Sequence, residues 1–138
     1  MHSYDSMQVG DTFSLKRFIS KEDVQGFADV TGDDNPLHVD EEYAAGTRFE
    51  TTVVHGVLLL GIVSKVLGRD YPGHGSIAVS ISAKFLRPVP VGSEIEVQVK
   101  VVEKIERHRH VRLKVYAYRN GKMAVGGEAV VIPPSPDS

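Results

Sequence analysis

Residues 57–67 are the part of this chain that most constrains its fold. Val57, Leu58, Leu59, Leu60, Ile62, Val63, Val66 and Leu67 cover nearly every side of a helix that begins near His55-Gly56 and ends at Gly68. A helix that is apolar all round has to be enclosed by other structure. The run contains Gly61, Ser64 and Lys65 and falls well short of the ~20 residues needed to cross a bilayer. Protein, not lipid, is expected to cover it, and no membrane partner is expected.

The second half of the chain supplies the cover. Ile77, Val79, Ile81, Ala83 and Phe85 share one face of a strand at period two. Ile95, Val97, Val99 and Val101 alternate with Glu94, Glu96, Gln98 and Lys100, and Val111, Leu113, Val115 and Ala117 repeat the pattern. Asn120-Gly121 is a two-residue hairpin turn leading into a strand over 123–131, where Gly126-Gly127 mark a bulge. The first half reads as helical and loop-rich. The economical architecture is α+β: an antiparallel sheet with one polar face, wrapped around a single central helix, the hot-dog arrangement. At 138 residues and 41% hydrophobic, the chain makes one such domain over 1–132, with 133–138 as a solvated C-terminal tail. The sheet has edges, and so small a wrap leaves one flank of the helix thinly covered. A homodimer would resolve both.

Sixteen Lys+Arg against 18 Asp+Glu leave a net charge of -2, without the concentrated basic face that nucleic-acid binding needs. The absence of cysteine removes disulfides, thiolate metal sites and cysteine nucleophiles. Residues 1–12 show no basic region followed by an apolar stretch, so a cytoplasmic protein is the expectation.

Ser20 caps a helix carrying Val24, Phe27, Ala28 and Thr31 on one face, and Gly32 stops it. The next segment, Thr31-Gly32-Asp33-Asp34-Asn35-Pro36-Leu37-His38, places a carboxylate, a carboxamide and an imidazole in one constrained loop. Adding water to a double bond conjugated with a thioester needs one group to orient and activate water and another to exchange a proton. Asp33 and His38 fit those tasks. On spacing alone, turn and cap roles for Asp33 and Asn35 and a structural role for His38 stay open. Gly56 lies at a helix N-terminus, where a backbone amide stabilises the negative charge that builds on a thioester oxygen. It also suits tight helix–sheet packing. Ser64, roughly on the face of Gly56, either reaches the pocket or bonds its own i−4 carbonyl.

The stretch Gly26-Phe27-Ala28-Asp29-Val30-Thr31-Gly32-Asp33-Asp34-Asn35-Pro36-Leu37-His38-Val39-Asp40 resembles the signature of the MaoC-like, (R)-specific enoyl-CoA hydratases. Val54-His55-Gly56-Val57-Leu58, Pro72-Gly73-His74-Gly75-Ser76-Ile77, and Phe85-Leu86-Arg87-Pro88-Val89 with Val91-Gly92 resemble further segments of that family, from about Gly10 to Val131. The resemblance implies an acid/base dyad of Asp33 and His38 and a loop braced by Asn35. It implies a thioester carbonyl held by the Gly56 amide and a pocket serine at Ser64. It also implies a homodimer of hot-dog protomers, a coenzyme A or acyl-carrier-protein thioester substrate, and no cofactor. The dyad shows no departure, Asp34 sits where the family is permissive, and His74 takes no assigned role. An apolar tunnel with the dyad at its polar end is expected.

Three other readings stand beside this one. The fold also hosts acyl-CoA thioesterases, in which an acidic residue activates water against the carbonyl carbon. A non-catalytic acyl-thioester binder is the second. In the third, Asp33, His38 and Asp40 ligate zinc or iron, which neither the chemistry nor the resemblance requires. His108-Arg109-His110 reads as a solvated strand connection.

Overall fold

The computed structural model describes residues 1–135. Five strands, β1 (Thr12–Phe18), β2 (Ile77–Phe85), β3 (Glu94–Ile105), β4 (His110–Arg119) and β5 (Lys122–Ile132), form one antiparallel sheet in the order β1-β3-β4-β5-β2. The helices are α1 (Lys21–Thr31), α2 (Pro36–Val39), α3 (Glu41–Ala45) and α4 (Gly56–Lys65), and α4 runs into a π-helical turn at Val66–Asp70. This is the α+β hot-dog layout, with α4 lying against the sheet. No helix among the described residues is long and apolar enough to cross a membrane.

The alternation in β3 and β4 becomes the core. Ile95, Val97, Val99 and Val101 are buried, and Val111, Leu113, Val115 and Ala117 are cross-strand neighbours on the same face. They pack with Leu59, Ile62, Val63, Val66 and Leu67 of the central helix. Asn120 and Gly121 both take positive φ (51° and 74°), as a two-residue turn between right-twisted strands requires. The helix does not stop at Gly68. The Tyr71 amide bonds the Val66 carbonyl and the Gly73 amide the Leu67 carbonyl, so helical winding continues one wide turn further.

α1 begins at a capping box. The Ser20 hydroxyl accepts from the Asp23 amide (3.1 Å), and the Asp23 carboxylate accepts from the Ser20 amide (2.9 Å). That backbone N–H, more than any other contact, holds the Asp23 carboxyl below its ordinary range against the opposing effect of burial. Gly32 ends the helix in left-handed geometry (φ 81°), its amide bonding the Ala28 carbonyl.

Several expectations are corrected. The five apolar residues of β2 do not share a face. A bulge between Ala78 and Ser80 puts Ile77 opposite Ile132 on the outer side, while Ile81 lies opposite buried Ala129 on the inner side. Gly126 and Gly127 pair regularly on both flanks, and the irregularity falls at Ala124 instead. Gly127 serves close strand approach, since a Cβ there would overlap the Ser82 carbonyl. The first half contributes strand β1, not only helix and loop. Of the expected solvated tail, Pro133 and Pro134 are buried and Ser135 is exposed; positions 136–138 lie outside the described residues.

Candidate active site

Gly32 hands the chain from α1 to Asp33, whose amide donates to the Thr31 hydroxyl (3.2 Å). The Asn35 side chain then caps α2 by accepting from the Leu37 amide (3.1 Å), and Pro36 occupies the first turn. This short helix, too brief to show periodicity, carries His38 back toward Asp33. It docks on the segment before α4: the Val53 amide donates to the Leu37 carbonyl (3.1 Å), and His38 Nδ1 lies 2.6 Å from the Val53 carbonyl.

That last contact fixes the chemistry of the ring. A carbonyl oxygen only accepts, so Nδ1 carries the proton of neutral His38 and Nε2 is left with the lone pair. His38 is thereby set up as a base at Nε2. The side chain of Asp33 is 52% exposed and free to meet water or substrate.

A third group joins them. His55, only 2% exposed, places Nε2 at 3.0 Å from the Asp33 main-chain carbonyl and 3.9 Å from its carboxylate. Its ring stacks on His38 with centroids 3.9 Å apart, and Phe27 closes the far side at 4.6 Å. Asp33, His38 and His55 offer nitrogen and oxygen atoms all within 4.8 Å of one another. Two groups at such a separation can share one water molecule, given hydrogen bonds of about 2.7–3.0 Å to each.

Gly56 follows His55 as the first residue of α4, where helix geometry leaves its amide without an intrahelical acceptor. It lines an open cleft of about 480 Å³ with Arg48, Phe49, Val54, Val57 and Phe85 among its walls. A Cβ at position 56 would meet the Phe85 ring at 2.7 Å, so the glycine also permits helix–sheet packing. Asp33 and His38 are not among the cleft's lining residues. Residues 53–56 connect the two: His38 Nδ1 meets the Val53 carbonyl, while Val53, Val54 and Gly56 line the cleft.

The chain as a whole has close parallels among known proteins. The family described as "MaoC like domain" matches residues 7–121. The chain belongs to the MaoC-like family. A 3-hydroxybutyryl-CoA dehydratase of Methylorubrum extorquens is 41% identical over 128 residues, covering 93% of this chain and 82% of the relative. An (R)-specific enoyl-CoA hydratase of Rhodospirillum rubrum is 36% identical over 135 residues, covering 98% and 94%. The solved structure of the (R)-hydratase from A. caviae involved in PHA biosynthesis superposes with a TM-score of 0.91 at 39% identity, covering 94% of this chain and 98% of that one.

Within this MaoC-like domain, the structure brings Asp33 and His38 together, gives Asn35 a capping role in the loop between them, and sets Gly56 beside the cleft. Ser64 stands apart. It shares an exposed stripe of α4 with Val57 and Gly61, roughly 12 Å along the axis from Gly56. Among the described residues its hydroxyl makes no bond to its i−4 carbonyl. His55 is the group that sequence reasoning treated only as a helix start. The signal was an imidazole at an N-cap position that ordinarily holds Ser, Thr, Asp or Asn, and here it makes no capping bond.

The donor set also bears on a metal. Asp40 is not part of it, because its carboxylate caps α3 by accepting from the Tyr43 amide (3.0 Å). His38 Nδ1 and His55 Nε2 both face carbonyls and are therefore N–H donors. His55 Nδ1 is buried. That leaves His38 Nε2 and the Asp33 carboxylate, fewer than the three protein ligands of an open catalytic zinc site.

Proposed function

We propose that this chain adds water to trans-2-enoyl thioesters to give (R)-3-hydroxyacyl thioesters, or runs the reverse dehydration. The convergence of Asp33 and His38, with His38 held so that Nε2 is its basic nitrogen, carries the reading. The relatives named as (R)-specific hydratase and 3-hydroxybutyryl-CoA dehydratase support it.

Water held between the Asp33 carboxylate and His38 Nε2 attacks C3. One water proton passes to the pair as the C–O bond forms, and the double-bond electrons move onto the thioester oxygen. The Gly56 amide, at the positive end of α4, holds that oxygen. The enolate collapses as C2 takes a proton from the pair, which restores the starting state. Arg48 and Arg87 at the cleft suit the phosphate of a phosphopantetheine handle, which coenzyme A and acyl-carrier protein share.

The test is steady-state kinetics on trans-2-enoyl-CoAs of increasing chain length, with chiral analysis and thiol detection. Formation of (R)-3-hydroxyacyl-CoA, unchanged after exhaustive chelation, is expected. Release of free coenzyme A without hydration would replace this reading with thioester hydrolysis. Loss of activity to chelator, restored by one metal, would overturn the metal-free mechanism.

A homodimer is part of the proposal. Ile77 (60% exposed), Val79 (51%) and Phe85 (53%) lie on edge strand β2 beside the uncovered Val57 of α4 (60%). A twisted edge lined with large apolar side chains invites a second copy. Sedimentation is expected to show a dimer at micromolar concentration, and Ile77→Lys with Val79→Lys a monomer. A wild-type monomer under those conditions would refute the pairing.

A further inference from the structure

We propose that His55 is a positioning residue, which holds Asp33 and His38 in register through its Nε2–H and its ring face. The inference rests on the hydration reading above, in which those two residues handle the water. Four observations meet at this side chain. It is buried, it faces the Asp33 carbonyl at 3.0 Å, the Asp33 carboxylate lies 3.9 Å from the same nitrogen, and its ring stacks on His38 at 3.9 Å. One rigid ring therefore touches both members of the dyad.

The N–H does two things. Bonded to the main-chain carbonyl, it ties the start of the loop to the N-terminus of α4 across 22 positions of sequence. Close to the carboxylate, it favours the Asp33 rotamer that turns toward His38. Meanwhile the stacked face stops the His38 ring from tilting about its bond to Val53. The Gly56 amide is the next peptide along, so the same residue links the water-handling pair to the group that holds the thioester oxygen.

Packing alone gives no reason for an imidazole here. Among the described residues His55 Nδ1 is buried with no hydrogen-bond partner, a deficit that Phe or Leu would avoid. The ring's value lies in its other nitrogen.

Side-chain length gives the test its resolution. The amide of Gln reaches where His Nε2 sits, that of Asn only as far as Nδ1, and Phe keeps the ring without a donor. We measure kcat, KM and Tm for crotonyl-CoA hydration by His55→Phe, His55→Gln and His55→Asn, and by His55→Phe within Asp33→Asn. Misplacing reacting groups by an ångström costs on the order of 10²-fold, so His55→Phe is expected to lower kcat roughly 10–100-fold with KM within about twofold. Gln is expected to recover about fivefold or more over Phe, and Asn not, in an order that Tm does not follow. A residue that acts through Asp33 loses its effect once the carboxylate is gone, so His55→Phe is expected to cost less than about twofold in the Asp33→Asn background. Wild-type kcat in His55→Phe, equal activity of Gln and Asn, or a full additive loss in the Asp33→Asn background would each overturn the assignment. If His55→Phe fails to fold, the Gln and Asn pair decides alone. Wild-type activity in Asp33→Asn itself would remove the hydration reading. Normal loss there with an unaffected His55→Phe would remove only this inference.

Discussion

Asp33→Asn and His38→Gln are each expected to slow hydration by roughly 10²–10⁴-fold while leaving KM close to wild type, because acid–base groups act mainly on the transition state. Asn keeps the size and polarity of Asp33 but cannot take a proton from water. The loop survives that change: the Asp33 amide meets Thr31, its carbonyl meets His55, and the long bond its carboxylate accepts from the Asn35 amide (3.5 Å) can equally be accepted by the Asn side-chain oxygen. Gln at position 38 retains a polar group but no basic nitrogen where Nε2 stood. The double variant is expected to be little worse than the worse single one, because the two groups serve one water and removing either disables the pair. Independent, multiplicative losses would mean that Asp33 and His38 act on different steps or different atoms.

Gly56→Val is expected to depress turnover by about 10²–10³-fold, the usual consequence of losing one oxyanion donor, in a chain that still folds. Two causes compete and can be separated. The new side chain would block the thioester's approach to the amide, and it would also push on the Phe85 ring, 2.7 Å from the added Cβ. The ring lies in a half-open cleft and can swing aside, so folding tolerates the change. Phe85→Ala removes the clash. If Gly56→Val in the Phe85→Ala background stays as slow as Gly56→Val alone, the glycine is needed for substrate approach. Recovery to the level of Phe85→Ala would make position 56 a packing site only.

Much of this arrangement was legible in the sequence where local chemistry and global fold agree. Ser20 and Gly32 bracket α1 by capping and by left-handed geometry, both properties of single residues. The alternation in β3 and β4 and the Asn120-Gly121 turn specify three consecutive strands. The errors have definite causes. In β1, Arg17 takes the place that alternation from Phe13 and Leu15 would give an apolar residue, which broke the strand pattern. The β2 bulge falls at Val79, with no glycine to mark it, so one unmarked extra residue inverted the facing of Ile77. Helices of four and five residues, α2 and α3, are shorter than any periodic signal and depend on the caps Asn35 and Asp40.

For the site, contiguity decided what could be read. Asp33, Asn35, Pro36 and His38 lie in one loop, and their chemistry is visible together. His55 reaches Asp33 across 22 positions, a contact that only the docking of the loop on residues 53–55 creates. Ser64 shows the limit of spacing along one helix. Its angle about α4 falls close to that of the cleft residue Val57, but eight residues carry it about 12 Å along the axis from Gly56.

The most direct test of a single water shared by Asp33 and His38 is the stereochemistry of addition. Crotonyl-CoA is hydrated in D₂O, and the configuration at C2 and C3 of the 3-hydroxybutyryl-CoA product is determined by NMR and chiral chromatography. Because one pair of side chains on one side of the substrate both activates the water and returns the proton, the account predicts oxygen at C3 in the R configuration and deuterium at C2 delivered to the same face. Delivery to opposite faces, or a product of S configuration, would contradict it.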